Sequence, residues 1–178
     1  VEFEMFSAKG DQTRRDFTKG MAKSGVNVST SDYDVDRIAY QLSVGYTHNP
    51  YATFLVAYTH LGDAKVQFET AETNKKKIKK ALEKHHPLSG DGLSFTYRYQ
   101  RPLMEKVNAF IEAGVLIWRN NVDTVGAGIH PDIDGGIDPV FALGLNYALT
   151  EKTQIGLKYR HQTLDDQSLS GLGVLIKR

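Results

Sequence analysis

Apolar side chains alternate with polar or small ones over several segments of the chain. In residues 40–47 the Tyr, Leu, Val and Tyr side chains fall on one face of an extended strand, and the Gln, Ser, Gly and Thr side chains fall on the other. The same alternation returns in residues 93–100 and 155–160. The polar face carries small and amide side chains with few charges, while aromatic residues stand near the strand ends. This pattern predicts a barrel whose apolar outer surface faces lipid.

The composition agrees with a single domain spanning residues 1–178. No stretch approaches the roughly 18 apolar residues of a membrane helix, and the mean hydropathy of -0.38 is low because only alternate strand residues meet lipid. With 22 Lys and Arg against 21 Asp and Glu, the net charge of +1 gives no reason to expect nucleic acid as a partner. The absence of cysteine excludes disulfides, thiol catalysis and thiolate metal sites.

The alternation and the turn residues predict eight strands. They are residues 1–7, 37–47, 51–68, 91–101, 107–119, 140–148, 154–163 and 169–177. The connections are short at 48–50, 102–106 and 150–153 and long at 9–36, 70–90 and 120–139, and only 164–168 breaks this rule. Short turns on one side and long loops on the other are typical of an outer-membrane barrel. We therefore expect an all-β fold, an eight-stranded antiparallel up-and-down transmembrane β-barrel with short helices in its long extracellular loops.

The alternation also assigns a direction to each strand residue. Eight side chains are predicted to face lipid: Leu42, Val44, Phe95, Tyr97, Leu143, Leu145, Leu157 and Tyr159. Ser43 and Asn146 are predicted to face the lumen, together with six charged residues: Glu2, Glu4, Arg98, Glu112, Lys158 and Arg160. Three acids balance three bases, and buried charges are tolerated when they pair and hydrogen-bond. We expect a salt-bridged plug that leaves the barrel closed or nearly so.

Aromatic residues near the strand ends predict two girdles at the membrane interfaces. The girdle at the short turns contains Tyr46, Tyr51, Tyr99 and Tyr147, and the girdle near the long loops contains Tyr58, Trp118 and Tyr159.

Two of the long loops carry helical patterns. In residues 13–22, Phe17 and Met21 lie on one face, Thr13 with Asp16 resembles a capping pair, and Gly25 ends the turn. In residues 73–85, Ile78, Ala81 and Leu82 share a face and Pro87 forbids continuation. Six lysines cover the rest of the second helix: Lys75, Lys76, Lys77, Lys79, Lys80 and Lys84. We expect the two apolar faces to bury against each other, the barrel rim or a partner.

Several short segments recur in a fixed order. Gly45-Tyr46 is followed by Asn49-Pro50-Tyr51-Ala52 and then by residues 58–64, and residues 144–150 and 159–166 follow near the C-terminal end. In this order and spacing they resemble the OmpA-like eight-stranded outer-membrane barrel family, over almost the whole chain. The resemblance implies a location in the bacterial outer membrane. Nothing within residues 1–178 resembles the peptidoglycan-binding domain of longer members, so we expect a stand-alone barrel.

His161 lies at the outer end of a strand, and some small outer-membrane barrels are enzymes. A lipid A deacylase of this shape resembles a His/Ser hydrolase, in which an acid supports the His and a Ser lies close enough to lose its proton. Here Gln162 and Thr163 follow His161, and Ser168 and Ser170 come only after the last loop. We favour an interfacial histidine at the level of the lipid headgroups, with a lipid A-modifying enzyme as the alternative.

Two acidic runs and three loop histidines are weak candidates for metal ligands. The runs lack the Gly and the distant Glu that complete an EF-hand loop. The histidines lack recognisable neighbouring groups that would hydrogen-bond to their rings and orient them toward a metal. The runs are Asp32, Asp34 and Asp36, and Asp132, Asp134 and Asp138, and the histidines are His85, His86 and His130. We expect no metal and no cofactor.

Function is therefore expected in the loops. Our first hypothesis is a non-enzymatic, structural or interaction protein whose partners are outer-membrane lipid and lipopolysaccharide, another protein or a host surface. Basic side chains near an anionic surface contribute about 1 kcal/mol each to binding. Such runs of lysine more often form only the solvent-exposed face of a helix. A soluble lipocalin-like carrier is a third alternative, but the charges of Arg98, Glu112 and Lys158 oppose the apolar interior that it needs.

Overall fold

Eight strands close into an antiparallel barrel within the residues that the structure describes. The structure is a computed structural model and describes residues 1–34, 36–62, 65–85, 89–119, 123–125, 135–164 and 167–178. The barrel strands are β1 (Glu2–Gly10), β3 (Asp36–Asn49), β4 (Ala52–His60), β6 (Asp91–Met104), β7 (Val107–Arg119), β9 (Gly136–Ala148), β10 (Gln154–Leu164) and β11 (Gln167–Lys177). Each strand pairs with the next barrel strand along the chain, and β1 closes the sheet against β11. The predicted fold class is confirmed.

The outer wall is apolar and the inner wall is polar. Leu42 and Leu157, both predicted to face lipid, are 51% and 55% exposed, whereas Arg98 and Lys158 are fully buried. Ser43, Glu112 and Asn146 are also buried, and the remaining residues predicted to face lipid are exposed. The predicted orientation of the strands is therefore confirmed. An apolar wall around a polar interior suits a surrounding of hydrocarbon.

A second sheet lies outside the barrel, and the sequence did not predict it. It contains β2 (Val28–Asp34), β5 (Lys65–Thr70) and β8 (Asp123–Val125), in the order β2-β5-β8. The predicted strand 51–68 was wrong in its extent, because β4 ends at His60 and β5 belongs to this second sheet. Two helices accompany the sheet, α1 (Arg14–Lys23) and α2 (Lys75–His85). We call α1, α2, β2, β5 and β8 together the loop domain.

Both predicted helices are present, and local signals fix the ends of α1. The Thr13 side chain accepts a hydrogen bond from the backbone N–H of Asp16, and the Asp16 carboxylate accepts one from the backbone N–H of Thr13. This reciprocal capping satisfies N–H groups that have no partner inside the helix. Gly25 follows the end of α1 with a φ of 79°, a conformation that favours glycine. Neither described helix is long and apolar enough to cross a membrane.

Candidate functional site

The first candidate site is a layer of charged side chains inside the barrel. Arg98 on β6 lies directly opposite Glu112 on β7, and its Nε lies 2.6 Å from Glu112 Oε1. Its Nη1 donates to Glu2 Oε2 at 2.6 Å and its Nη2 to Glu2 Oε1 at 2.7 Å. Arg98 therefore holds two carboxylates, one of them with two parallel hydrogen bonds, the strongest geometry for such a pair.

Lysine and arginine side chains on β10 continue this layer. Lys158 Nζ lies 2.6 Å from Glu4 Oε2 and 3.4 Å from carboxylate oxygens of both Glu2 and Glu112. Arg160 Nη2 lies 2.9 Å from the same Glu4 oxygen. The structure thus brings all six charged residues that were predicted to face the lumen into one connected ionic layer. Among these six, three cations face three carboxylates.

An apolar layer lies in the lumen beyond the ionic layer, toward the long loops. It contains Phe6, Ala8, Ala39, Leu61, Leu116, Trp118, Leu164 and Leu169. Trp118 was predicted to join the girdle that faces lipid, and this was wrong: its side chain is 3% exposed and its Nε1 donates to Asp138 Oδ2 at 2.6 Å. The alternation along β7 indicated this orientation, because Trp118 is six residues from lumen-facing Glu112 and therefore lies on the same face of the strand.

The second candidate site is the loop domain, which has an apolar core of its own. Phe17 and Met21 of α1 pack with Ile78 and Leu82 of α2 in one cluster, as one of the predicted arrangements required. The sheet adds Val66 and Phe68, and the rings of Phe17 and Phe68 lie 6.1 Å apart. The apolar faces of the two helices therefore cover each other and the small sheet.

The lysines of α2 remain on the outside of this core. Lys75, Lys76, Lys77, Lys80 and Lys84 are exposed, and Lys79 is half-buried. Lys77 Nζ pairs with Glu72 Oε2 at 2.9 Å. A groove of about 510 Å³ between the two helices is lined by Ser24, Lys77, Lys80, Ala81 and Lys84. This arrangement presents several cations to solvent at fixed positions on a helix.

His85 joins the two helices at the end of α2. Its Nε2 lies 3.1 Å from Ser24 Oγ, and its ring fills the space beside Gly20, where a Cβ would lie 2.5 Å from Nδ1. Burial lowers the pKa of the His85 imidazole, and the positive charges of Lys84 and Lys23 lower it further. The neutral ring is therefore the form that the folded loop domain prefers.

His161 lies on the outer wall, exposed, and the structure corrects the prediction that it has no serine neighbour. Ser170 on β11 is its direct cross-strand partner. Among the described contacts, no hydrogen bond joins the His161 ring to Ser170 and no carboxylate pairs with that ring. The two parts of a His/Ser pair are therefore adjacent on the outer wall.

A polar cluster on the outer rim was missed by the sequence reasoning. Tyr58 Oη donates to Asp91 Oδ1 at 2.6 Å, and His60 Nδ1 lies 2.7 Å from the same oxygen. The ring of Tyr40 stacks on His60 with centroids 4.8 Å apart. The alternation of Tyr58 and His60 on one face was the available signal, since it places both side chains beside the start of β6.

The metal candidates are dispersed or not described. Asp138 is the acceptor for Trp118, and His85 is packed between the helices. Several candidates lie outside the described residues: the side chains of Asp34 and Asp36, and the residues His86, His130, Asp132 and Asp134. In the described part of the chain, no three His, Asp or Glu side chains come together to hold a metal ion.

Comparison with known proteins gives matches in sequence and in fold. The family model of the OmpA-like transmembrane domain matches residues 9–168. Outer membrane protein A of Salmonella typhi is 26% identical over 118 residues, which are 65% of this chain and 30% of that protein. The match thus covers under a third of the length of that relative.

Two solved barrels share the fold. Neisserial surface protein A has a TM-score of 0.60 and 15% identity, over 98% of this chain and 92% of that chain. The N-terminal β-barrel domain of Pseudomonas aeruginosa OprF has a TM-score of 0.53 and 14% identity, over 99% of this chain and 96% of that chain.

Proposed function

Because this chain belongs to the OmpA-like transmembrane domain family and resides in the bacterial outer membrane, we propose that it is a non-enzymatic barrel with a closed lumen. Its loop domain is the interaction surface. The observation that carries this proposal is the loop domain's separate apolar core, which holds the lysines of α2 outward. A barrel needs only lipid, closure and a filled lumen to be stable, and none of these requires such a domain.

Two successive layers support the closed lumen. The ionic layer places large side chains such as Arg98 and Lys158, both fully buried, inside the lumen. The apolar layer then lies across the loop side of the lumen. The interior of an eight-stranded barrel has room for side chains but not for a wide pore. In a planar bilayer the wild type should show no stable large conductance, and such a conductance would make the protein a channel.

Phosphorylated sugars of lipopolysaccharide are the partner that the loop domain suits best. Each exposed lysine of α2 carries one positive charge, and each contributes about 1 kcal/mol to binding near an anionic surface. Lys77 is held by Glu72, whose pKa is lowered by the Asn74 backbone N–H and by Lys77 itself. The other exposed lysines of α2 are Lys75, Lys76, Lys80 and Lys84, and α1 exposes further cations at Arg14, Arg15, Lys19 and Lys23.

A soluble oligosaccharide probe tests this binding in a bilayer that contains no lipopolysaccharide. The protein in phosphatidylcholine nanodiscs is titrated with phosphorylated core oligosaccharide and with the dephosphorylated oligosaccharide. Replacing Lys75, Lys76, Lys80 and Lys84 together with Gln should weaken binding of the phosphorylated probe at least a hundredfold, since four such contacts are lost. Lys106→Gln with Lys152→Gln, in the turns on the other side, should bind as the wild type does. Equal binding by all three proteins would refute the lysines of α2 as the binding surface.

A lipid A-modifying enzyme is the second candidate, favoured by the cross-strand position of Ser170 beside His161. A hydrolase would need a carboxylate to orient the histidine and a hydrogen bond to the serine. Lipid A from cells with the wild type and with His161→Ala should have the same mass. An acyl chain missing with the wild type and present with the variant would make the protein an enzyme.

A further inference from the structure

A groove of about 580 Å³ runs along the outer wall, centred on Ala113. Ala113 lies in register with Tyr97 on one side and with Phe141 on the other, so a short side chain stands between two rings. The next row of the wall contributes Ile111, Leu143 and Tyr159. The lining is therefore apolar and aromatic, and it lies on the surface that meets hydrocarbon.

The end of this groove nearer the long loops is polar. His161 lies in the groove wall as the cross-strand neighbour of Phe141. The same line of register continues from His161 to Ser170 on β11 and to Lys9 on β1. Neighbouring strands are about 4.8 Å apart, so the three side chains span on the order of 10 Å of the outer rim. Lys9 is exposed and precedes the last residue of β1, on the side of the long loops.

We propose that this groove binds one acyl chain of a lipid A molecule of the outer leaflet, whose phosphate lies against Lys9, Ser170 and His161. Hydrocarbon chains are as apolar as the wall, so exchange of one lipid for another gains little hydrophobic energy. Close packing of a chain between Tyr97 and Phe141 supplies contacts that a smooth wall lacks. The cation and the hydrogen-bonding groups at the upper end then select lipids that carry a phosphate.

The site is independent of the loop domain, so it goes beyond the function proposed above. The experiment is native mass spectrometry of the detergent-solubilised, delipidated full chain with added lipid A. The probes are bisphosphorylated hexa-acyl lipid A and the same lipid without phosphates. Ala113→Phe fills the groove, and Val44→Phe places the same ring on β3, outside it. Lys9→Gln with His161→Gln removes the polar end, and Lys152→Gln is the matched lysine control.

The wild type should retain one bisphosphorylated lipid A, and Ala113→Phe should bind it about tenfold more weakly while Val44→Phe binds as the wild type does. The variant Lys9→Gln with His161→Gln should bind the bisphosphorylated lipid about fivefold more weakly than the wild type does. Its affinity for the lipid without phosphates should equal that of the wild type. Heat-modifiable migration verifies that every variant is folded. Unchanged binding by Ala113→Phe, or a phosphate preference that persists in the double variant, would overturn the site.

Discussion

The ionic layer of the barrel and the core of the loop domain are built from opposite kinds of side chain. Inside the barrel, Arg98 and Lys158 are buried among carboxylates, and large apolar side chains cover the outside. Inside the loop domain, Phe17, Leu82 and their neighbours are buried, and lysines cover the outside. One chain of 178 residues therefore uses both arrangements a few residues apart.

The surroundings of each part decide which of its faces is apolar. A wall in hydrocarbon gains nothing by hiding its leucines, so the lumen is free to hold charges that pair. A domain in water must hide its leucines to gain stability. The two interiors should consequently fail in different ways when residues are replaced, and the following predictions test that.

Arg98→Ala should have the largest effect and should act on the barrel. It leaves Glu2 and Glu112 buried without their main cation, which costs about 4 kcal/mol. Urea unfolding followed by heat-modifiable migration measures this loss. Arg101→Ala, an exposed arginine on the same strand, is the control and should change the midpoint little. If both variants unfolded alike, the ionic layer would not be a main support of the barrel.

Leu82→Ala should cost about 3 kcal/mol, and this loss should be confined to the loop domain. The side chain is fully buried in the cluster of α1, α2 and the small sheet, so its removal leaves a cavity. Limited proteolysis should then cut the loop domain on the order of a hundred times faster. The barrel's unfolding midpoint should stay where it is, as it should for Leu172→Ala on the lipid-facing wall. A midpoint that moved with Leu82→Ala would mean that the two interiors form one cooperative unit.

Thr13→Ala should cost about 1 kcal/mol, again in the loop domain alone. The substitution removes the side-chain oxygen that accepts from the Asp16 N–H at the start of α1. The rate of proteolysis near α1 measures the loss, and Thr13→Ser should restore most of the protection. Equal protection in the Ala and Ser variants would show that the cap adds nothing there.

Acidification should produce the smallest effect, since His85 is only partly buried. Its pKa is lowered in the folded loop domain, so the unfolded chain binds the proton more readily. The stability of the loop domain should therefore fall as the pH drops below the ordinary value of 6.5 and level off below the folded pKa. Proteolysis between pH 7 and pH 5 reports the change, and His85→Asn should flatten the curve. A dependence that survives in His85→Asn would belong to other groups.

Much of the barrel was predictable because period-two patterning is local. The direction of Leu42 or Arg98 follows from its own strand, and the helices were visible from the Thr13 cap and from Pro87. The loop sheet was not predictable in the same way. Its strand β2 reads Val-Ser-Thr-Ser-Asp-Tyr-Asp, which has no apolar face, and its partner β5 comes from another loop. Strands of this kind exist only through long-range pairing.

The candidate sites follow the same division. The residues of the ionic layer were predictable because the alternation of side chains along each strand is enough to place them on the inner face. The pairing of His161 with Ser170 could not, because it depends on the register between β10 and β11. The groove at Ala113 depends on neighbours from three other strands, β6, β9 and β10. Sequence spacing within one strand holds no information about those distances.

The core of the loop domain also bears on the order in which the protein assembles. Its parts lie in three separate connections, between β1 and β3, β4 and β6, and β7 and β9, all at the long-loop end of the barrel. The core is therefore complete only when all three connections have reached that end. Burial of Phe17, Met21 and Leu82 in this core then stabilises the assembled arrangement of the three connections.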